Sequence, residues 1–288
     1  MTTTHTPATG RDFRIGGDLN VRRLGFGAMR ITGPGIWGPP ADRDAAKKVL
    51  RRALELGINL IDTADSYGPA VSEELIAEAL YPYPNGLVIA TKGGLLRGGP
   101  GNWKPDGRPE HLRAALDASL KRLKLERIDI YQLHAPDPTV PFQESVSALA
   151  ELQRAGKIRH IGLSNVGRTQ LTEARKITQI VSVQNRYSLS DRKSDDVLEM
   201  CTRESIGFIP WYPLATGELT KPGADLDRIA RRLQATPAQV ALAWLLGRSP
   251  VVLPIPGTGS LAHLEENTAA DRLQLTAADW QTLADTRP

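Results

Sequence analysis

The sequence predicts a (β/α)8 TIM barrel, and three observations carry that prediction. Eight continuous apolar runs of strand length recur along the chain, amphipathic helical patterns separate them, and 288 residues suit an α/β barrel built as one domain. Strands that are apolar throughout, each followed by a helix, are the mark of parallel strands buried on both faces. A doubly wound sheet would use fewer strands and open on a glycine-rich turn.

The elements follow in order. Residues 1–10 are Thr-rich and polar and read as a disordered tail; the remainder of 1–288 reads as a single barrel domain. Residues 13–21 read as an N-terminal β-hairpin turning at Gly16-Gly17 and placed to plug the bottom of the barrel. The strand candidates are 24–29, 59–63, 88–92, 128–134, 161–165, 182–185, 208–212 and 251–255. Helical patterns lie between them at 42–56, 72–80, 109–123, 142–155, 169–177 and 237–246. Pro109 and Pro237 stand where a first helical turn tolerates proline, and Thr236 is positioned as an N-cap. Gly57, Gly156 and Gly207 follow helical patterns and suit C-terminal stops. Beyond Asn267 the chain reads mostly as one more helix, so a long C-terminal lid is not expected.

Bulk properties exclude several classes. A formal net charge of +4 is weak ground for nucleic acid binding, and the basic pairs Lys47-Lys48, Arg51-Arg52 and Arg231-Arg232 read as solvated helix faces. One cysteine, Cys201, excludes an internal disulfide framework and suits a reducing compartment. No apolar stretch approaches the roughly 20 residues that span a bilayer, and no signal-peptide core opens the chain. The expected setting is the cytoplasm. The five histidines are scattered without metal-ligand spacing, so no metal is expected. Gly33-Pro-Gly-Ile-Trp-Gly38 fits G-x-G-x-x-G in letters, but Pro39-Pro40 follow where a dinucleotide fingerprint needs a helix, and it reads as a loop.

Polar residues at strand ends carry the chemistry. Asp62 and Tyr67 lie in Asp-Thr-Ala-Asp-Ser-Tyr-Gly, Lys92 ends Val-Ile-Ala-Thr-Lys, and His134 ends Ile-Asp-Ile-Tyr-Gln-Leu-His. Active sites of such barrels form at the C-terminal ends of the strands. With neighbouring strands about 4.8 Å apart, Asp62, Lys92 and His134 converge, and Tyr67 loops back over the same mouth. Alone, each has an ordinary reading as a cap, a solvated amine or a packed ring. Together they can protonate a carbonyl oxygen. A phenol with a pKa near 10 is a poor acid at neutral pH; an ammonium beside it is expected to lower that value, and a carboxylate holds the ammonium charged. His134 would orient the substrate oxygen, and the hydride must come from a cofactor. Loops 32–40 and 93–108 follow the first and third strands, making Trp37 and Trp103 candidate pocket walls, with rim packing as the other reading.

Asp-Thr-Ala-x-x-Tyr-Gly, the strand-ending Thr-Lys, Leu-His, Gly-Leu-Ser-Asn, Val-Gln-Asn and the late Ile-Pro-Gly together resemble the aldo-keto reductases, in the family's order from Leu24 to Asn267. The resemblance implies a monomeric barrel that binds a nicotinamide cofactor, and a tetrad of Asp62, Tyr67, Lys92 and His134 with Tyr67 as proton donor. It places the cofactor against Gly27, Ala28 and Met29, has Ser164, Asn165 and Gln184 hold the carboxamide, and has Trp211, then Tyr212, stack on the nicotinamide. Pro213, Leu214 and Gly217 fall in the implied diphosphate turn, and Pro256, Gly257, Thr258, His263, Glu266 and Asn267 in the implied adenosine site.

The family usually carries Lys or Arg in that last segment to meet a 2′-phosphate, whereas this chain has Gly257, Gly259 and His263 there. NADPH is the cofactor the resemblance implies, and NADH stays open. Gly-Ala-Met-Arg-Ile-Thr-Gly-Pro-Gly-Ile-Trp-Gly-Pro-Pro and Leu-Tyr-Pro-Tyr-Pro are similar to a branch containing bacterial pyridoxal reductases, which implies pyridoxal as a candidate substrate, with pyridoxine oxidation as the reverse direction left open. The reading from another class is a cofactor-binding regulatory subunit on the same barrel. Cofactor binding without carbonyl turnover would favour it.

Overall fold

The computed structural model describes residues 10–214 and 225–285. The tail at 1–10, Gly10 excepted, and Gly217 lie outside the described residues. The chain opens with an antiparallel hairpin, β1 (Asp12–Ile15) and β2 (Leu19–Arg22). Its turn needs the left-handed backbone at two successive positions, and Gly16 and Gly17 supply it with φ of 65° and 88°.

Seven parallel strands follow: β3 (Phe26–Gly27), β4 (Leu60–Asp62), β5 (Val88–Gly93), β8 (Ile128–Leu133), β9 (Ile158–Ser164), β10 (Ile180–Arg186) and β11 (Gly207–Trp211). They pair in sequence order from β3 to β11. The eighth side is the segment 251–255. It accepts from Phe208 N at Val251 O, donates from Leu253 N to Phe208 O, and accepts from Gly25 N at Pro254 O, which closes the barrel. Pro254 has no N–H to donate, so this side is held by fewer bonds than a regular ladder.

Helices cover the outside: α1 (Arg43–Glu55), α2 (Val71–Leu80), α3 (Pro109–Leu123), α4 (Phe142–Arg154), α5 (Arg168–Ile177), α6 (Asp195–Glu204), α7 (Asp225–Arg232), α8 (Pro237–Arg248), α9 (Leu261–Ala269) and α10 (Ala277–Asp285). Thr236 caps α8 in a reciprocal pair with Gln239, and Pro109 and Pro237 occupy first-turn positions. Gly57 and Gly156 follow α1 and α4 with positive φ. Gly207 does not end a helix. Ser205, with φ 54°, closes α6, and Gly207 opens β11. Between 93 and 108 the expected loop contains an antiparallel hairpin, β6 (Leu95–Gly99) with β7 (Asn102–Pro105), whose Arg97–Trp103 pair is in register.

The core has two layers. The larger lies between strands and helices; the smaller fills the barrel, where Leu60, Val88, Ile130, Ile209 and Leu253 meet Ile15, Leu19 and Val21 of the N-terminal hairpin. The hairpin is therefore the floor of the barrel. No helix among the described residues is long and apolar enough to cross a membrane.

Candidate active site

The mouth of the barrel opens into a cavity of about 460 Å³ lined by Asp62, Tyr67 and His134. Asp62 is the last residue of β4, Lys92 the fifth of six in β5, and His134 directly follows β8. Because β4, β5 and β8 are adjacent, these ends meet. Tyr67 arrives on the turn between β4 and α2, and its backbone N–H donates to Ala64 O.

Lys92 is wholly buried. Its ammonium donates to Asp62 Oδ2 at 2.7 Å, Thr63 O at 2.8 Å and Tyr67 Oη at 3.4 Å, which uses all three of its protons. Asp62 Oδ1 in turn accepts from Gln184 Nε2 at 2.7 Å and Gln132 Nε2 at 3.2 Å. Burial would strip the lysine's charge, but Asp62 and the Tyr67 oxygen outweigh it and hold its pKa above the usual value. Tyr67 behaves differently from the sequence expectation. Burial pushes its pKa above 10, and the opposing Lys92 ammonium does not reverse this because Asp62 and Asp65 add negative potential. His134 is driven well below 6.5, first by burial and then by the Lys92 charge, so it is neutral at pH 7. Its Nδ1 lies 3.3 Å from Ser66 Oγ, and its ring meets Tyr67 edge-on with centroids 5.8 Å apart.

Ser164, Asn165, Trp211, Tyr212, Pro213 and Leu214 line the same cavity, with Gly27, Met29, Pro256 and Gly257 on its other side. Asn165 adopts the left-handed backbone at φ 59°, which an asparagine tolerates. From there Nδ2 donates to His134 O and Ser164 Oγ, while Oδ1 accepts from Trp211 Nε1 at 3.0 Å. Gln184 spends its NH₂ on Asp62 and retains Oε1 as an acceptor.

Other expected residues are not brought to this cavity. Ala28 is buried under α2, its carbonyl accepting from Ser72 Oγ. Thr258, His263, Glu266 and Asn267 do not line it; Glu266 accepts instead from Thr236 Oγ1 at the start of α8. Trp103 lines the cavity, whereas Trp37 does not and is 37% exposed; Ile36 takes that side. Three contributors were missed. Gln132 supports Asp62 from β8, but Asp129 and Tyr131 share that strand, so the sequence does not set it apart. Arg30 stands just past the first strand, and among the described lining residues it is the only Lys or Arg. Leu95 lines the cavity from the unexpected hairpin.

A second cavity, of about 530 Å³, lies at the opposite ends of the strands beside Arg22, Arg23 and Leu24, and none of the four clustered residues reaches it.

The profile described as the Aldo/keto reductase family matches residues 23–287. An uncharacterized oxidoreductase of Schizosaccharomyces pombe is 52% identical over 91% of this chain and 85% of its own length. Pyridoxine 4-dehydrogenase of Escherichia coli is 46% identical over 93% of this chain and 95% of its own. Among solved structures, an aldo-keto reductase from Klebsiella pneumoniae in complex with NADPH superposes with a TM-score of 0.81 at 27% identity, covering 96% of this chain and 95% of that one. Barrel, hairpin floor and family profile agree over nearly the whole length, and this chain is an oxidoreductase that belongs to the aldo/keto reductase family.

Proposed function

We propose that the protein reduces an aldehyde or ketone with NADPH, that Tyr67 is the proton donor, and that pyridoxal is its substrate. The single observation that carries the acid assignment is the direction of the Lys92–Tyr67 bond. The ammonium donates to the phenol oxygen, so the phenol's own proton is left to point at a carbonyl oxygen in the cavity. A raised pKa keeps that proton in place at neutral pH. As it leaves, Lys92 stabilises the phenolate that forms, and Asp62, held by two amide groups, keeps Lys92 charged and oriented. Neutral His134 completes the alignment. With Ser66 donating to Nδ1, Nε2–H is available to the same carbonyl oxygen.

The donor set at the mouth suits a nicotinamide cofactor, which when bound supplies the hydride for the carbonyl carbon. Ser164, Asn165 and the Oε1 of Gln184 offer the donors and acceptors that a carboxamide needs, and Trp211 offers a flat face fixed by its bond to Asn165. Arg30, beside Gly257, supplies the cation that the segment 255–267 lacks. That favours a phosphate-rich cofactor, and the NADPH complex of the Klebsiella relative supports the same choice. Pyridoxal follows from the Escherichia coli relative's activity and from the apolar walls Met29, Ile36, Leu95 and Trp103, which suit a flat ring. The protein would act as a monomer in the cytoplasm.

The test is NADPH oxidation with pyridoxal and a panel of aldehydes, for wild type and Tyr67→Phe. Equal rates in the two proteins sink the acid assignment. Turnover of other aldehydes without pyridoxal removes only the narrower substrate.

A further inference from the structure

Arg97 occupies an unusual position for a charged residue. Among the described residues no carboxylate lies within ion-pair distance of it. Its guanidinium is spent on backbone carbonyls from three segments. Nη1 donates to Ile36 O at 2.7 Å and Ser66 O at 3.2 Å; Nη2 donates to Gly35 O at 3.0 Å and Gly99 O at 3.2 Å. Gly35 and Ile36 belong to the loop after β3, Ser66 to the turn carrying Tyr67, and Gly99 to the β6–β7 hairpin. One side chain thus ties together the three loops that surround the tetrad.

The same guanidinium lies flat on an aromatic wall. Arg97 Cζ is 3.6 Å from the centroid of Trp103, its register partner across the hairpin, and 5.6 Å from that of Trp37 on the other side. Trp103 in turn meets the His134 ring with centroids 6.4 Å apart at 65°. A planar, delocalised cation can stack and fill four carbonyls at once; a lysine ammonium cannot. Trp37 is therefore a backing for Arg97 and not a wall of the cavity.

We propose that Arg97 is the positioning residue that holds Trp103 as a fixed flat wall beside His134, and that this gives the site its preference for planar aromatic carbonyls over flexible aliphatic ones. The inference rests on the carbonyl-reductase reading above.

The experiment compares wild type, Arg97→Met, Arg97→Lys, Trp103→Ala and the Arg97→Met/Trp103→Ala double variant on pyridine-4-carboxaldehyde and on hexanal, with NADPH affinity measured separately by fluorescence quenching. Arg97→Met is expected to raise KM for the aromatic aldehyde about fivefold, the scale of a lost aromatic or cation–π contact. Its kcat is expected to fall alike on both aldehydes, because the lost bond to Ser66 O loosens the turn that carries Tyr67, while its hexanal KM and its NADPH affinity should stay within about twofold. Arg97→Lys should behave like Arg97→Met despite keeping the charge, and it carries the test if the methionine variant does not fold. The double variant should match Trp103→Ala alone in KM, because Arg97 acts on substrate binding through that ring. Aromatic and aliphatic KM values moving together, neither moving, or additive KM effects in the double variant would each overturn the inference. A wild type that reduces neither aldehyde overturns the functional reading and this inference with it. A wild type that reduces both, with aromatic preference intact in the Arg97 variants, overturns this inference alone.

Discussion

Lys92 Nζ sits 2.7 Å from Asp62 Oδ2 with the two side chains 0% and 2% exposed, so the central ion pair of the site is cut off from solvent. Removing one member leaves the other as an uncompensated buried charge, which typically costs about 3–5 kcal/mol, whereas removing both spares that penalty. Lys92→Met should therefore unfold at markedly lower denaturant concentration than wild type. The Asp62→Asn/Lys92→Met double variant should recover a large part of the loss while remaining inactive. Urea titrations of wild type, the double variant and the single variants Lys92→Met and Asp62→Asn measure this, and additive losses would show that the pair is not coupled.

The pH profile of reduction should lack a histidine limb. His134 is already neutral at pH 7, and its pKa lies well below 6.5. Tyr67 remains protonated until above pH 10 because burial raises its pKa. The rate should be level between pH 7 and 9 and should fall only on the alkaline side, as the phenol loses the proton it must give. A sigmoid centred near pH 6.5 in kcat/KM would contradict the neutral-imidazole role.

Asp65 should cost stability at neutral pH and above. Burial, then the charge of Glu73, pushes its carboxyl up to about 7, and its Oδ1 has no hydrogen-bond partner. The folded state therefore binds more protons than the unfolded state between pH 4 and 7, so stability falls as pH rises through that window. Asp65→Asn removes the ionisation. It is expected to stabilise by on the order of 1–2 kcal/mol at pH 8, a figure discounted for partial exposure, and to be nearly neutral at pH 4. Thermal midpoints at the two pH values check the sign.

What was legible in the chain divides along physical lines. Parallel strands buried on both faces leave a local trace, a run of apolar residues, so Asp62, Lys92 and His134 announced themselves as polar groups where a run stops. The hairpin at 12–22 was readable because two glycines at Gly16-Gly17 admit few alternatives to a tight turn. The β6–β7 hairpin was not. Its first strand, Leu-Leu-Arg-Gly-Gly, ends in two glycines and shows no alternation, and the hairpin is held by Arg97 reaching loops up to 62 residues away in sequence. Gln132 was hidden for the opposite reason, since inside Ile-Asp-Ile-Tyr-Gln-Leu nothing local says which face is the barrel interior. The downward shift expected for Tyr67 reversed because a sequence shows which charges are near but not how much water burial removes.

Arg30 should decide how the cofactor's phosphates are held. Its side chain passes beside Gly257 at the cavity wall, in a chain whose 255–267 segment has no Lys or Arg. Arg30→Met should weaken NADPH binding by about tenfold, the scale of one lost charge-assisted contact. Titration of both cofactors by tryptophan quenching separates two cases. A loss confined to NADPH assigns Arg30 to the 2′-phosphate, and an equal loss for NADH assigns it to the diphosphate. Unchanged affinity for both removes it from the cofactor site.

The hairpin floor predicts a stability effect without a direct effect on chemistry. Val21 is fully buried and packs with Leu60, Val88 and Ile130 at the end of the barrel away from the tetrad. Val21→Ala deletes two methyl groups that nothing else can replace, because the barrel wall is a hydrogen-bonded sheet that cannot collapse inward. A loss of roughly 2 kcal/mol is expected from the transfer and cavity costs together. The kcat of the folded enzyme should be unchanged below the unfolding transition, since β4, β5 and β8 position Asp62, Lys92 and His134 through their own ladder. Parallel urea unfolding and turnover measurements read the two quantities separately. A proportional drop in kcat at full folding would mean that the floor transmits strain to the mouth and that the two are not independent.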